Sequence, residues 1–252
     1  KNKFRVKILK AIHETLDEML QSDEEVIRIG KATAYYPAEI FLGNGYLTMR
    51  YNFYAMASTS HRLLFVNVNP KISKPTHYYF QIPFDGIKKV SKGLFGTSLI
   101  LHRHKSKRRI FTGIKRYMAK EFLQCIRERQ RPAKAASPAQ PMREDLCPSC
   151  FIPLAKNLLK CPKCKAAFKK PMTAFLRSLL LPGLGDIYLG HKLLGVLELL
   201  GSVVLWAVVI FSVWQGDQAG LIVALLILLF YNGFDGLLTR HMARKGYMLT
   251  SK

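Results

Sequence analysis

Acidic residues are scarce in this chain: 16 Asp and Glu stand against 39 Lys and Arg, a formal charge of +23 over 252 residues. That imbalance points to anionic partners. One is an anionic membrane leaflet, where each Lys or Arg near the surface contributes about 1 kcal/mol; the other is nucleic acid. Cysteine is sparse too. There are five, four of them in two close pairs, an arrangement that suits metal binding in a reducing compartment better than a disulfide framework. The seven histidines are scattered without ligand spacing. No grouping of nucleophile, base and oxyanion donors is visible, so no enzyme is expected. No apolar run with a small-residue cleavage site follows the charged Lys1–Lys10, so no signal peptide is expected.

What the chain does have is organised around Leu193–Leu238. Two apolar runs, Leu193–Trp214 and Ala219–Leu238, are separated only by Gln215-Gly216-Asp217-Gln218. Each matches the roughly 20 apolar residues a helix needs to cross a hydrocarbon core, within which helix satisfies its own backbone hydrogen bonds. A buried helical hairpin of a soluble protein is the alternative. Each run carries one formal charge, Glu198 in the first and Asp235 in the second. Intramembrane acids are candidates for a relay or ion site. Both fall near the same end of an antiparallel hairpin, so the competing reading has them reach headgroups or pair with Lys192, Arg240 or His241. Lys163, Lys165, Lys169, Lys170, Arg177 and Lys192 precede the hairpin, and Arg240, Arg244 and Lys245 follow it, while the turn has no basic residue. Both termini are therefore expected in the cytoplasm.

Ahead of the hairpin, Asn2–Gln21 shows helical spacing of Ile8, Leu9, Ile12, Leu16, Met19 and Leu20, which reads as core packing rather than a membrane-surface helix. From Glu25 to about Gly113 the period changes to two. Strands are expected at Val26–Ile29, Tyr46–Tyr51, Arg62–Val68, His77–Ile82, Ser98–His102 and Arg109–Phe111, with turns at Gly43–Gly45, Asn69-Pro70 and Lys92-Gly93. Lys115–Arg131 returns to helical spacing. Such a series suggests an antiparallel sheet curled into a small barrel or sandwich, one end plugged by the helix.

The residues Ala57–Val66 (ASTSHRLLFV) and Ile82–Val90 (IPFDGIKKV) resemble two successive strand motifs of bacterial PH-like and GRAM-like domains, and Gly93–Leu101 and Phe111–Gly113 continue the pattern. The resemblance covers about Ser22–Arg131, departs at the long segment Ala34–Gly45, and implies a β-barrel with a C-terminal helix used for protein or lipid contact. Within it, His102–Arg109 concentrates positive charge: Arg103, Lys105, Lys107, Arg108 and Arg109. This stretch is expected at a hairpin tip, either as a solvated loop or as a docking site for anionic lipid or an acidic partner. No stacking aromatics interleave with it, which weighs against nucleic acid.

Residues 131–146 are rich in Pro and Ala and read as a linker. Beyond it, Cys147-x2-Cys150 and Cys161-x2-Cys164, ten residues apart, present four thiolates with the spacing of a closed tetrahedral zinc site. Iron, or a redox dithiol pair, is the alternative. The two knuckles resemble zinc ribbons, with Phe151 and Lys165 where Gly usually stands. Cys125, apart from the others, reads as a packed thiol. Met172–His191 is broken by Pro182, Gly183, Gly185 and Gly190 and cannot span. With the residues after it, it resembles the PGLGxxYLGxxxxG opening of TM2-type membrane hairpins, matched at Gly183, Gly185, Tyr188, Gly190 and Gly195. An interfacial helix and a Gly-rich turn are expected there.

The expected architecture is a multidomain membrane protein: an amphipathic helix (1–22), a PH-like antiparallel β-barrel with C-terminal helix (23–131), a linker (132–146), a zinc ribbon (147–170) holding one structural ion, an interfacial segment (171–192), an α-helical transmembrane hairpin (193–239) and a basic tail (240–252). The expected role is a non-enzymatic adaptor or accessory subunit of a larger assembly at a bacterial inner membrane. The soluble parts would be cytoplasmic, with anionic headgroups as a further contact. The rivals are an oligomeric transporter using Glu198 and Asp235, and a membrane-tethered nucleic-acid binder.

Overall fold

In the computed structural model, the described residues are 2–37, 39, 51–103, 106–129 and 143–250. They form two compact units, Lys1–Ala166 and Ala167–Lys252.

The first unit is built on a nine-stranded, wholly antiparallel sheet: β1 (Val26–Ala34), β2 (Phe53–Thr59), β3 (Arg62–Val68), β4 (Pro75–Pro83), β5 (Lys89–Lys92), β6 (Leu99–Arg103), β7 (Ser106–Thr112), β8 (Glu144–Leu146) and β9 (Pro153–Leu154). Their spatial order is β5-β6-β7-β1-β2-β3-β4-β8-β9. Every residue of β3 is buried, which requires cover on both faces. Helix α1 (Asn2–Met19) supplies one cover: Ile8, Ile12, Leu16 and Met19 pack on Ile29, Ala55, Ala57, Leu64 and Val66. Those sheet residues alternate with the ones facing the other way. On that opposite face Phe65 stacks between Phe80 and Phe111, with ring centroids 4.4 and 4.7 Å away. Helix α2 (Arg116–Arg129) lies there as well, its Cys125 thiol 3.1 Å from the Ser58 hydroxyl. A Cβ on Gly30 would come within 2.8 Å of the Phe122 ring, so β1 needs glycine at that crossing. Cys125 is the packed thiol the sequence suggests.

The expected barrel is not what forms. Among the described residues the sheet is open, with β5 paired only to β6 and β9 only to β8. The free side of β4, which closure would require, is taken by β8 through Phe80↔Asp145 and Gln81↔Glu144. The last residues of the expected linker are thus a strand of the sheet; residues 132–142 lie outside the described residues. So do Tyr46–Arg50 and the Gly43–Gly45 turn. The stretch Ala57–Val66 holds the end of β2 and the start of β3, joined by a tight turn at Thr59–Arg62. There the Thr59 hydroxyl oxygen accepts from the Arg62 and His61 N–H groups at 3.0 and 3.2 Å.

The second unit is helical: α3 (Pro171–Leu180), α4 (Leu184–Leu189), α5 (Lys192–Gln215) and α6 (Gln218–Ala243). The latter two are long and apolar enough to cross a membrane. Their outward faces are apolar, as at Ile210, Phe211, Leu226, Leu229 and Phe230, all exposed. The tail closes back on the start of the unit, with the Lys169 N–H donating to the Met248 carbonyl at 2.9 Å and Phe168 against Tyr247.

Candidate metal centre and buried acidic cluster

The four cysteines converge. Cys147 Sγ lies 3.7 Å from Cys164 Sγ and Cys150 Sγ 3.6 Å from Cys161 Sγ, and all four sulfurs are within 4.8 Å of one another. A tetrahedral tetrathiolate with metal–sulfur bonds of about 2.3 Å spaces its sulfurs about 3.8 Å apart. The set therefore fits one ion, and no disulfide is formed.

Backbone geometry explains the convergence. In the first knuckle the Phe151 N–H returns to the Cys147 carbonyl and the Cys147 N–H donates to the Ile152 carbonyl, both at 3.0 Å. The second knuckle repeats this, from Lys165 to Cys161 at 3.0 Å and from Cys161 to Ala166 at 2.9 Å. Phe151 and Lys165 stand at φ +54° and +60°, the left-handed position that favours glycine. Phe151 is also an anchor, its ring edge-on to Tyr79 with centroids 5.3 Å apart. Burial pushes the Cys147 thiol up to about 12, while the Ala166 N–H holds Cys164 down to about 6. A bound cation would deprotonate all four. With four thiolates in place, such an ion would have no ligand position left open.

A second cluster lies in the helical unit. The carboxylates of Asp186, Glu198 and Asp235 come within 4.8 Å of one another, and all three are buried. The sequence singles out Glu198 and Asp235 and places them at similar depth, and the structure brings them together, turned into the helix packing. Asp186 was not singled out. It sits on α4 inside the Gly-rich stretch, and nothing local in the sequence separates it from an ordinary turn residue.

The glycines make the approach possible. A Cβ on Gly183 would fall 2.1 Å from the Gly195 carbonyl oxygen, and one on Gly195 would fall 2.6 Å from that of Gly183, so only backbone fits between α4 and α5. Gly183 and Gly190 stand at φ +85° and +94°. A polar chain holds Asp186: it accepts from the Thr239 hydroxyl at 2.6 Å and lies 3.1 Å from His191 Nδ1, while Ser178 lies 3.1 Å from Thr239. Asp235 accepts from the Gly183 N–H at 2.9 Å. Ser202, one turn along α5 from Glu198, is fully buried with no partner for its hydroxyl among the described residues.

Strands β6 and β7 pair antiparallel, with Arg103 opposite Ser106, and the tip expected between them lies outside the described residues. Arg103 and Lys107 lie on these strands, and Lys105 is outside the described residues. Arg108 is exposed. Arg109 is half-buried, its guanidinium held below its ordinary range by burial and by the nearby Arg143.

No protein-family profile matches the sequence, and no curated protein matches it. Among solved structures, the C-terminal domain of an unknown protein from Leishmania infantum is similar at a TM-score of 0.31 and 12% identity, over 51% of this chain and 95% of that one. That likeness is too loose to assign a fold or an activity.

Proposed function

We propose that this chain is a non-enzymatic, membrane-anchored adaptor or accessory subunit, whose sheet and four-cysteine module binds a protein partner at the inner face of a bacterial plasma membrane. The fusion of the metal centre to the sheet edge carries this reading. Strands β8 and β9 make the first knuckle an extension of β4, so a closed, structural ion would stiffen one edge of a sheet already covered on both faces. That is a way to build a docking surface, and it leaves no coordination position for a substrate. The ion is zinc, since four closed thiolates are its common structural set. The sheet is a PH-like unit opened along β4 by the strands leading into the ribbon. Helices α5 and α6 are the anchor: their outward apolar faces would be an aggregating patch in water and are suited to lipid.

Gentle detergent extraction at native expression, followed by mass spectrometry, tests this. A stoichiometric membrane partner is expected, and a clean homo-oligomer would overturn it. The meeting of Asp186, Glu198 and Asp235 favours a second reading, an oligomeric ion- or proton-pathway component, because three buried carboxylates at such spacing must share protons or a cation. Glu198→Gln with Asp235→Asn separates the two. An adaptor keeps its partner and its assembly; a pathway component loses flux while staying assembled.

A further inference from the structure

Tight turns place small or polar residues at their corners, where the backbone bends sharply and water has access. The β5–β6 turn does the reverse. It runs Gly93-Leu94-Phe95-Gly96, closed by the Gly96 N–H donating to the Gly93 carbonyl at 2.9 Å, and its corners are 96% exposed at Leu94 and 74% at Phe95. The turn is well held. The Gly93 N–H donates to the Ser98 carbonyl and the Ile114 N–H to the Thr97 carbonyl, both at 3.0 Å, and Arg116 Nε donates to the Phe95 carbonyl at 3.2 Å. Gly96 supplies the left-handed φ of +67° that the bend needs. Two large apolar side chains are thereby presented on a fixed frame.

The charge around the tip is of one sign. From Ile87 to Lys120 there is no Asp or Glu, and of the eleven Lys and Arg six lie outside the basic stretch Arg103–Arg109. Lys92 immediately precedes the turn, Arg116 is bonded to it, and Lys88, Lys89, Lys115 and Lys120 are exposed on the same elements. A protein pocket that received Leu94 and Phe95 would have no need for so continuous a cationic surround. A bilayer interface accounts for both features, taking apolar side chains below the headgroups and pairing cations with their phosphates. The other end of β6, a strand of five residues, is about 17 Å away, so the basic residues that follow it do not belong to this tip.

We propose that the Leu94-Phe95 turn inserts into the interface of an anionic bilayer, with Lys92 and Arg116 at headgroup level. This rests on the membrane anchoring proposed above, since a two-helix anchor keeps the turn at high effective concentration near a bilayer.

Tryptophan emission separates the two claims, because the only two tryptophans, Trp206 and Trp214, are in the hairpin helices. In the full chain reconstituted into vesicles with brominated acyl chains, quenching of the native tryptophans reports the anchor. A chain carrying Trp206→Phe, Trp214→Phe and Leu94→Trp reports the turn alone. Insertion predicts blue-shifted emission quenched by brominated lipid in phosphatidylglycerol-rich vesicles, both lost in phosphatidylcholine vesicles and after adding Lys92→Ala and Arg116→Ala. Unquenched, water-like emission in anionic vesicles, with the native tryptophans still quenched, would overturn insertion and leave the anchor standing. A blue shift without bromine quenching would overturn it in favour of a protein pocket. Equal quenching in both lipids would overturn the electrostatic part, and unquenched native tryptophans would overturn the anchor on which it rests.

Discussion

Arg62 ties three parts of the sheet unit to one buried guanidinium. It donates to Glu24 through Nε at 2.9 Å and Nη2 at 2.6 Å, to the Met19 carbonyl at the end of α1 at 2.9 Å, and to Gln81 on β4. Thr59 adds its hydroxyl to Glu24 at 2.5 Å. Burial alone would raise the Glu24 carboxyl, but the hydrogen bonds from Arg62 and Thr59 and the Arg62 charge outweigh it and hold it below its ordinary 4.5. Truncation in Arg62→Ala strands a carboxylate in the interior, and the expected loss is about 3–5 kcal/mol in denaturant unfolding of the detergent-solubilised chain. The pH sign follows from the lowered folded value. The Glu24 contribution is complete above the unfolded carboxyl value of 4.5 and is lost as pH falls through the lower folded one. Glu24→Gln should therefore flatten the acid limb of the stability profile while lowering stability at neutral pH. In the sequence Arg62 reads only as one residue of a β run, because a partner 38 positions away leaves no periodic trace. Asp186 leaves no periodic trace either: Thr239 stands 53 positions away on α6, and the pairing with His191 forms only through the Gly-rich turn.

At the scale of elements, periodicity carried most of the reading. Helix α1, strands β3, β4 and β6, helix α2 and the two long helices lie within a few residues of where the hydrophobic pattern puts them. Where the pattern failed, a competing interaction had no period. Strand β8 is three residues after a Pro-rich stretch, too short to alternate, and it exists because β4 offers an unpaired edge. The same strand turned the expected barrel into an open sheet. The cysteine spacing was legible because a C-x2-C knuckle is local chemistry, and even the left-handed residues after each second cysteine could be located, though not that Phe151 and Lys165 would adopt glycine's conformation. This linkage makes metal and sheet edge one element. Elemental analysis should find one ion per chain in the wild type and none in Cys161→Ser. Because Cys147 is bracketed by β8 and β9, hydrogen exchange should speed up across Glu144–Leu154 and at the paired residues Phe80 and Gln81, leaving β2–β3 protected. A strong chelator on the wild type should do the same, whereas unchanged exchange would show that the edge folds without metal.

For the whole molecule, the distribution of charge and the chemistry of sulfur make a joint demand on orientation. Lysines and arginines lie outside both ends of the long helices, and the turn between them carries only Asp217 as a formal charge. That side chain is already engaged, accepting from the Gly220 N–H at 3.0 Å as the cap of α6. Basic flanks are retained in the cytoplasm during insertion. Independently, four converging thiols without a disulfide and a buried fifth, Cys125, suit a reducing compartment. On the membrane anchoring proposed above, both considerations predict Lys1–Ala166 on the cytoplasmic side and Gln215–Gln218 on the opposite side. The native thiols then serve as the internal control for a single added one. In intact cells, an impermeant maleimide should label Gln218→Cys and leave the wild-type chain unlabelled, and permeabilisation with metal removal should expose the native thiols. Placing lysine at Gln215 opposes the flanking charge and should lower the labelled fraction of the Gln218→Cys reporter. Loss of labelling at Gln218→Cys in intact cells, regained on permeabilisation, would reverse the orientation. It would also place the tetrathiolate in an oxidising space where it would close into disulfides, so the topology and the metal centre stand or fall together.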